Sequence, residues 1–169
     1  MSTTTTRNLV LNSVQVEQKI KRIAFEIYEH NFQEKRILLA GIDGQGYVFA
    51  KMLKEALEGI SPISVKLLKV SLDKFSSKQG EVRLDVGEKE LKNRCVVLID
   101  DVLNTGKTLA FGMQPFLNAE IKRLEVAVLI NRRHTQYPIL PTYTGYALAT
   151  MISEHVEVVL GKRPAVYIQ

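Results

Sequence analysis

The chain lacks tryptophan altogether and is poor in cysteine (Cys95 alone in 169 residues), in histidine (three) and in proline (five). A single cysteine excludes an intramolecular disulfide and fits a reducing compartment, so a cytoplasmic setting is expected. His30, His134 and His155 stand far apart, without the short-spaced ligand pair that zinc sites favour. No apolar run approaches the roughly 18 residues needed to span a bilayer. The opening stretch Met1-Ser2-Thr3-Thr4-Thr5-Thr6-Arg7 is polar and has no apolar centre, which argues against a signal peptide. Secreted and membrane-spanning readings are set aside. Repeats and coiled coils are set aside too, because no internal period or heptad occurs.

What remains is 46% hydrophobic and 24% charged, the proportions of a soluble globular domain. A chain of this length can bury about two thirds of its unfolded surface and fold without disulfides or a structural metal, so residues 1–169 are expected to form a single domain. Lys and Arg number 23 against 18 acids, a formal net charge of +5. Such an excess favours anionic ligands: nucleic acid, nucleotides or phosphorylated metabolites. The cations cluster tightly only at Lys122-Arg123 and Arg132-Arg133-His134, so most of them read as solvated surface charge.

Hydrophobic periodicity supplies the architecture. Val16, Ile20, Ile23 and Ile27 recur at helical spacing through residues 14–30, opposite Lys19, Lys21, Arg22 and Glu26, an amphipathic helix. Ile37-Leu38-Leu39-Ala40 and Cys95-Val96-Val97-Leu98-Ile99 are short, wholly apolar runs and read as buried strands. Residues 126–130 repeat the pattern, and residues 63–72 after Pro62 are β-prone. Helices are expected from the spacing of Phe49, Met52, Leu53, Ala56 and Leu57, and over residues 108–118. Strands alternating with helices predict an α/β fold, a mostly parallel central sheet with helices on both faces. Residues 1–12 read as a flexible leader. The polar stretch 71–87 reads as a mobile loop or hairpin, and residues 131–169 as a small β-rich cap.

The chemistry concentrates in Val96-Val97-Leu98-Ile99-Asp100-Asp101-Val102-Leu103-Asn104-Thr105-Gly106-Lys107-Thr108. A buried strand delivers two carboxylates to its carboxyl end, where open α/β sheets bind ligands. A Thr-Gly-Lys-Thr turn follows, offering backbone N–H groups and hydroxyls to a phosphate. The two carboxylates suit ribose hydroxyls or a hydrated Mg2+. Gly106-Lys107-Thr108 is the tail of a Walker A motif, but Asp101 stands where its first glycine is required, so a nucleotide-hydrolysing P-loop is disfavoured. The string therefore describes a site for a sugar phosphate.

That string resembles the signature of the type I phosphoribosyltransferases. The wider pattern is similar to their PyrR group, the uracil phosphoribosyltransferases that double as pyrimidine regulators. Arg22 to Ile27, Gly41-Ile42-Asp43-Gly44-Gln45-Gly46, Val126 to Arg132, His134, Pro138-Ile139 and Tyr143-Thr144-Gly145 carry this wider likeness. The resemblance implies a type I phosphoribosyltransferase fold and transfer of a 5-phosphoribosyl group from 5-phosphoribosyl-1-pyrophosphate (PRPP) with Mg2+ to a nucleobase, foremost uracil, as in pyrimidine salvage. In the roles it implies, Asp100 and Asp101 are catalytic and bind Mg2+ directly or through water. Asn104, Thr105, Gly106, Lys107 and Thr108 hold the 5-phosphate. Asp43, Gly44, Gln45, Gly46 and Lys74 hold the pyrophosphate, with Lys74 on a lid over residues 71–87. Ile130, Asn131 and Arg132 bind the base against the cap, with Tyr137 and Tyr143 as stacking candidates. A nucleoside monophosphate product and a homodimer or higher homo-oligomer are implied as well. Gln45 stands where the group commonly has arginine, Asn104 where it has an aromatic, and Phe25 where it has a histidine. A purine phosphoribosyltransferase, or a PRPP-sensing, RNA-binding regulator with little catalysis, therefore stand as alternatives.

Overall fold

Asn12 sets the start of the first helix: its side chain accepts from the Gln15 amide while the Gln15 side chain accepts from the Asn12 amide, satisfying two N–H groups at this helix end. The computed structural model describes residues 6–73 and 80–169. In chain order the elements are β1 (Asn8–Leu11), α1 (Ser13–Asn31), β2 (Arg36–Ile42), α2 (Gln45–Ile60), β3 (Ser64–Ser71), β4 (Arg83–Leu84), α3 (Glu88–Leu91), β5 (Cys95–Leu103), α4 (Lys107–Gly112), α5 (Gln114–Leu117), β6 (Arg123–Asn131), β7 (Tyr143–Ala147), β8 (Val156–Val159) and β9 (Ala165–Ile168).

Six strands make the central sheet in the order β4-β3-β2-β5-β6-β7, parallel throughout except for β4. Its strands are apolar on both faces because both are covered. Ile37, Leu39, Val97 and Ile99 pack with Val16, Ile23, Phe49 and Leu53 of α1 and α2. Their neighbours Leu38, Ala40, Val96 and Leu98 pack with Leu91, Leu109 and Phe116 of α3, α4 and α5. This is the expected α/β class with helices on both faces. Among the described residues no helix is long and apolar enough to cross a membrane.

Three expectations change, and one alternative is chosen. Residues 8–11 are not a leader: they form β1 and pair antiparallel with β9, because the alternating Leu9 and Leu11 can use the open edge of that strand. The helix expected over 108–118 is two short helices, since Pro115 lies in the first turn of α5 and cannot donate to a preceding turn. The cap is smaller than residues 131–169: β7 joins the central sheet beside β6, while β1, β9 and β8 form a separate three-stranded antiparallel sheet. Beyond β3 the chain returns as β4, with Val70 opposite Leu84 and Ser71 opposite Arg83, the hairpin alternative for this segment. Lys74 lies outside the described residues.

Candidate active site

The topology fixes where a ligand can enter. From β2 the chain crosses through α2 to β3 on one side, and from β5 it crosses through α4 and α5 to β6 on the other. β2 and β5 are neighbours, with Gly41 opposite Ile99, so the loops leaving their carboxyl ends diverge and open a crevice. The two glycine turns singled out in the sequence are these two loops.

At the end of β5, Asp100 is 3% exposed and Asp101 half-buried. The Asp101 amide donates to Asp100 Oδ1 at 3.0 Å. Gly46, at the start of α2, lies so close that a Cβ there would stand 2.7 Å from Asp100 Oδ1, and this contact brings the second loop against the strand end. In the turn after β5, Gly106 takes φ +90°, which glycine adopts without steric cost. Thr105 Oγ1 accepts from the Lys107 amide at 3.2 Å. The Thr105 carbonyl accepts from the Gln136 and Tyr137 amides at 2.8 and 3.0 Å, anchoring the turn from behind. α4 is only six residues long, so an anion here depends on local N–H groups and hydroxyls more than on an accumulated helix dipole.

A cavity of about 460 Å3 lies over this turn, lined by residues 100–109 and, across from them, by His155, Val156, Glu157 and Val158. The structure thus brings Asp100, Asp101, Asn104, Thr105, Gly106, Lys107 and Thr108 to one concavity of small-molecule size. The wall from β8 was missed by sequence reasoning; a Val-Glu-Val-Val alternation shows a strand without showing what it faces. Glu157 is fixed there by Arg7 at 2.9 Å, and Arg7 lies 3.6 Å over the Tyr167 ring. The exposed His155 imidazole also belongs to this wall.

The loop at residues 43–46 borders the cavity rather than lining it. Gly44 has φ +99°, its amide donates to Asp43 Oδ1 at 3.0 Å, and α2 begins without a side-chain cap or an acid in its first turn. A sixteen-residue helix so begun presents free N–H groups to an anion. Gln45 Oε1 accepts from the Leu160 amide at 3.2 Å, tying this helix start to the small sheet. Lys69 Nζ lies 3.8 Å from Asp43.

The residues expected at the base lie outside the lining of this cavity. Ile130 is buried, and Asn131 Oδ1 accepts from the Arg133 amide at 2.9 Å. The Arg132 guanidinium is engaged by Asn104, Thr150, Met151 and Glu154, and none of Ile130, Asn131 and Arg132 lines the cavity. Tyr143 cannot stack on a ligand: it is fully buried and donates its hydroxyl to Glu125. Tyr137 packs beside Gly106.

Among the described residues no cluster of three or more His, Cys, Asp and Glu side chains could hold a metal. Two oxygen donors do fit Mg2+ if it arrives with the ligand, since this ion keeps waters and shares substrate oxygens instead of filling an all-protein cage.

The chain matches the phosphoribosyl transferase domain over residues 8–160 and belongs to that family. The bifunctional protein PyrR of Streptococcus pneumoniae strain CGSP14 is 33% identical over 154 residues, covering 87% of this chain and 86% of the relative. Among solved structures, a hypoxanthine-guanine phosphoribosyltransferase from Bacillus anthracis superposes with a TM-score of 0.71 at 20% identity, covering 83% and 82% of the two chains. A Trypanosoma cruzi hypoxanthine phosphoribosyl transferase gives 0.73 at 16% identity, covering 85% and 78%. These structures establish the type I phosphoribosyltransferase fold.

Proposed function

We propose that this phosphoribosyltransferase joins the ribose C1 of PRPP to a ring nitrogen of uracil: the C1–O bond breaks with its electron pair leaving on pyrophosphate, and the ring nitrogen gives up its proton to solvent. The observation that carries the reading is the single cavity in which the Asp100-Asp101 pair and the Thr105-to-Thr108 turn meet. The turn binds the 5-phosphate, which sets the ribose ring against the strand end. There the two aspartates receive the 2- and 3-hydroxyls and supply the negative charge that favours positive character at C1 as its bond to pyrophosphate lengthens. The free N–H groups at the start of α2 receive the departing pyrophosphate. Asp100 and Asp101 would hold a Mg2+ that arrives with the substrate, and that ion would neutralise charge on the leaving group. The base enters between the turn and the wall at His155 to Val158. Uracil is preferred because the PyrR relatives match so much of the chain. A cytoplasmic homo-oligomer fits the same resemblance.

A second reading is supported by Gln45: it brings no cation to the leaving group, and its carbonyl is turned to Leu160. On that reading the chain senses PRPP and binds RNA with little turnover. Pyrophosphate release measured with uracil, hypoxanthine, guanine and orotate separates the two. Turnover highest with uracil supports the proposal, and turnover with a purine instead replaces uracil as substrate. Tight PRPP binding without turnover on any base leaves the regulator.

A further inference from the structure

Arg132 is 9% exposed, and its guanidinium reaches four neutral oxygens on two segments. Nη1 donates to Asn104 Oδ1 at 2.8 Å, Nε to Thr150 Oγ1 at 3.0 Å, and Nη2 to the Met151 and Glu154 carbonyls at 3.1 and 2.6 Å. Asn104 directly precedes the turn that holds the phosphate. Glu154 directly precedes His155, where the opposite wall of the cavity begins. One buried, rigid fork therefore spans the two sides of the cavity from behind. From His155 onward this side is also held by paired backbone bonds between His155 and Gln169 at 2.7 and 3.0 Å, by the β8–β9 pairing and by Arg7 on Glu157. The stretch that Arg132 grips, however, has Met151 and Ile152 exposed at 66% and 90% and is otherwise tied by the His134 ring to the Thr150 carbonyl at 2.6 Å, the Met151 amide to Glu154 Oε2 at 2.6 Å and the Glu154 amide to the Met151 carbonyl at 3.1 Å.

We propose that Arg132 is a positioning residue that couples the two walls, so that a phosphate filling the turn at Thr105 to Thr108 tightens the His155-to-Val158 wall that receives the base. The inference rests on the sugar-phosphate reading of the cavity. A guanidinium suits the task because its donors are coplanar and fixed in direction, whereas a lysine ammonium cannot serve four acceptors spread over two segments. A ligand that orders Asn104 thereby orders Glu154, and by reciprocity a base seated on the wall strengthens phosphate binding by the same factor.

The test is amide hydrogen exchange across Val156 to Val158, with and without saturating ribose 5-phosphate, in wild type, Arg132→Lys and Thr150→Val. In wild type the sugar phosphate is expected to slow these amides about tenfold. In Arg132→Lys ribose 5-phosphate still binds, but the slowing disappears, and the KM for the base rises about tenfold while kcat changes much less. Slowing of wild-type size in Arg132→Lys overturns the coupling, as does its absence in wild type that binds the ligand. If Arg132→Lys does not fold, Thr150→Val removes one acceptor from the wall side only: reduced slowing supports the proposal and undiminished slowing overturns it. Wild type that fails to bind ribose 5-phosphate overturns the sugar-phosphate reading and the coupling with it.

Discussion

Two carboxylates are buried in neighbouring strands of the central sheet, Asp100 in β5 and Glu125 in β6, at opposite ends and in contrasting surroundings. Glu125 is closed in by protein. It accepts from the Tyr143 hydroxyl and from Asn31 Nδ2 at 3.1 Å, and Arg123 lies 3.5 Å away. Burial, and then the bond to Glu125, push the Tyr143 hydroxyl well above the usual phenol range, so the phenol stays a donor at any pH the fold survives. Asp100 sits beside a cavity, under a glycine that leaves it room. A buried acid whose partners are all protein groups stabilises a fold, while one at the rim of an open pocket is available to a ligand. Burial alone does not tell the two apart.

The contrast can be broken by substitution. The largest effect is expected from replacing Asp100 and Asp101 together by Asn: transfer should fall by at least about 10²–10³-fold with cooperative thermal unfolding retained, and an unchanged rate would remove the assigned roles. Gly46→Ala comes next, because the new methyl would press on Asp100 Oδ1 and on the Ile99 carbonyl. A loss of about tenfold or more in kcat/KM is expected from the displaced loop. At the other end Tyr143→Phe should cost about 1–3 kcal/mol in urea unfolding by taking a donor from Glu125, with kcat/KM unaltered. A drop in activity there would tie the two ends together.

The smallest effect belongs to Glu34, whose carboxyl is held below its usual range chiefly by its bond to Lys122. A depressed folded value means that the pair contributes stability above the unfolded carboxyl range and loses it as pH falls through the folded value. Glu34→Gln should therefore lower the urea midpoint slightly at about pH 7, and by progressively less as the pH falls below the ordinary carboxylate range. An equal shift at every pH would assign the effect to packing.

Legibility followed the length scale of the signal. α1 was readable because four apolar residues at helical spacing can only line one helix face, and β5 because its apolar run stops at two acids. The Thr105-to-Thr108 turn was readable because all of it lies in one stretch of chain. The β8 wall was not, since its partners across the cavity are about fifty positions away in sequence. The partners of Arg132 were hidden for a related reason. In sequence it stands in a basic cluster beside a strand end, and its acceptors are 18 to 28 positions distant. β1 escaped notice because four residues next to a threonine tract carry too little periodicity to register.

The small sheet has a consequence for biosynthesis. Its middle strand is β9, and it joins Asn8–Leu11 to Val156–Val159. As the chain leaves the ribosome, β1 emerges long before its partner and waits for residues 165–168, while β2, β3, β5 and β6 can already assemble. The wall over the cleft thus forms after these parallel strands, together with the share of the core that Leu11, Val156, Val158 and Val166 supply.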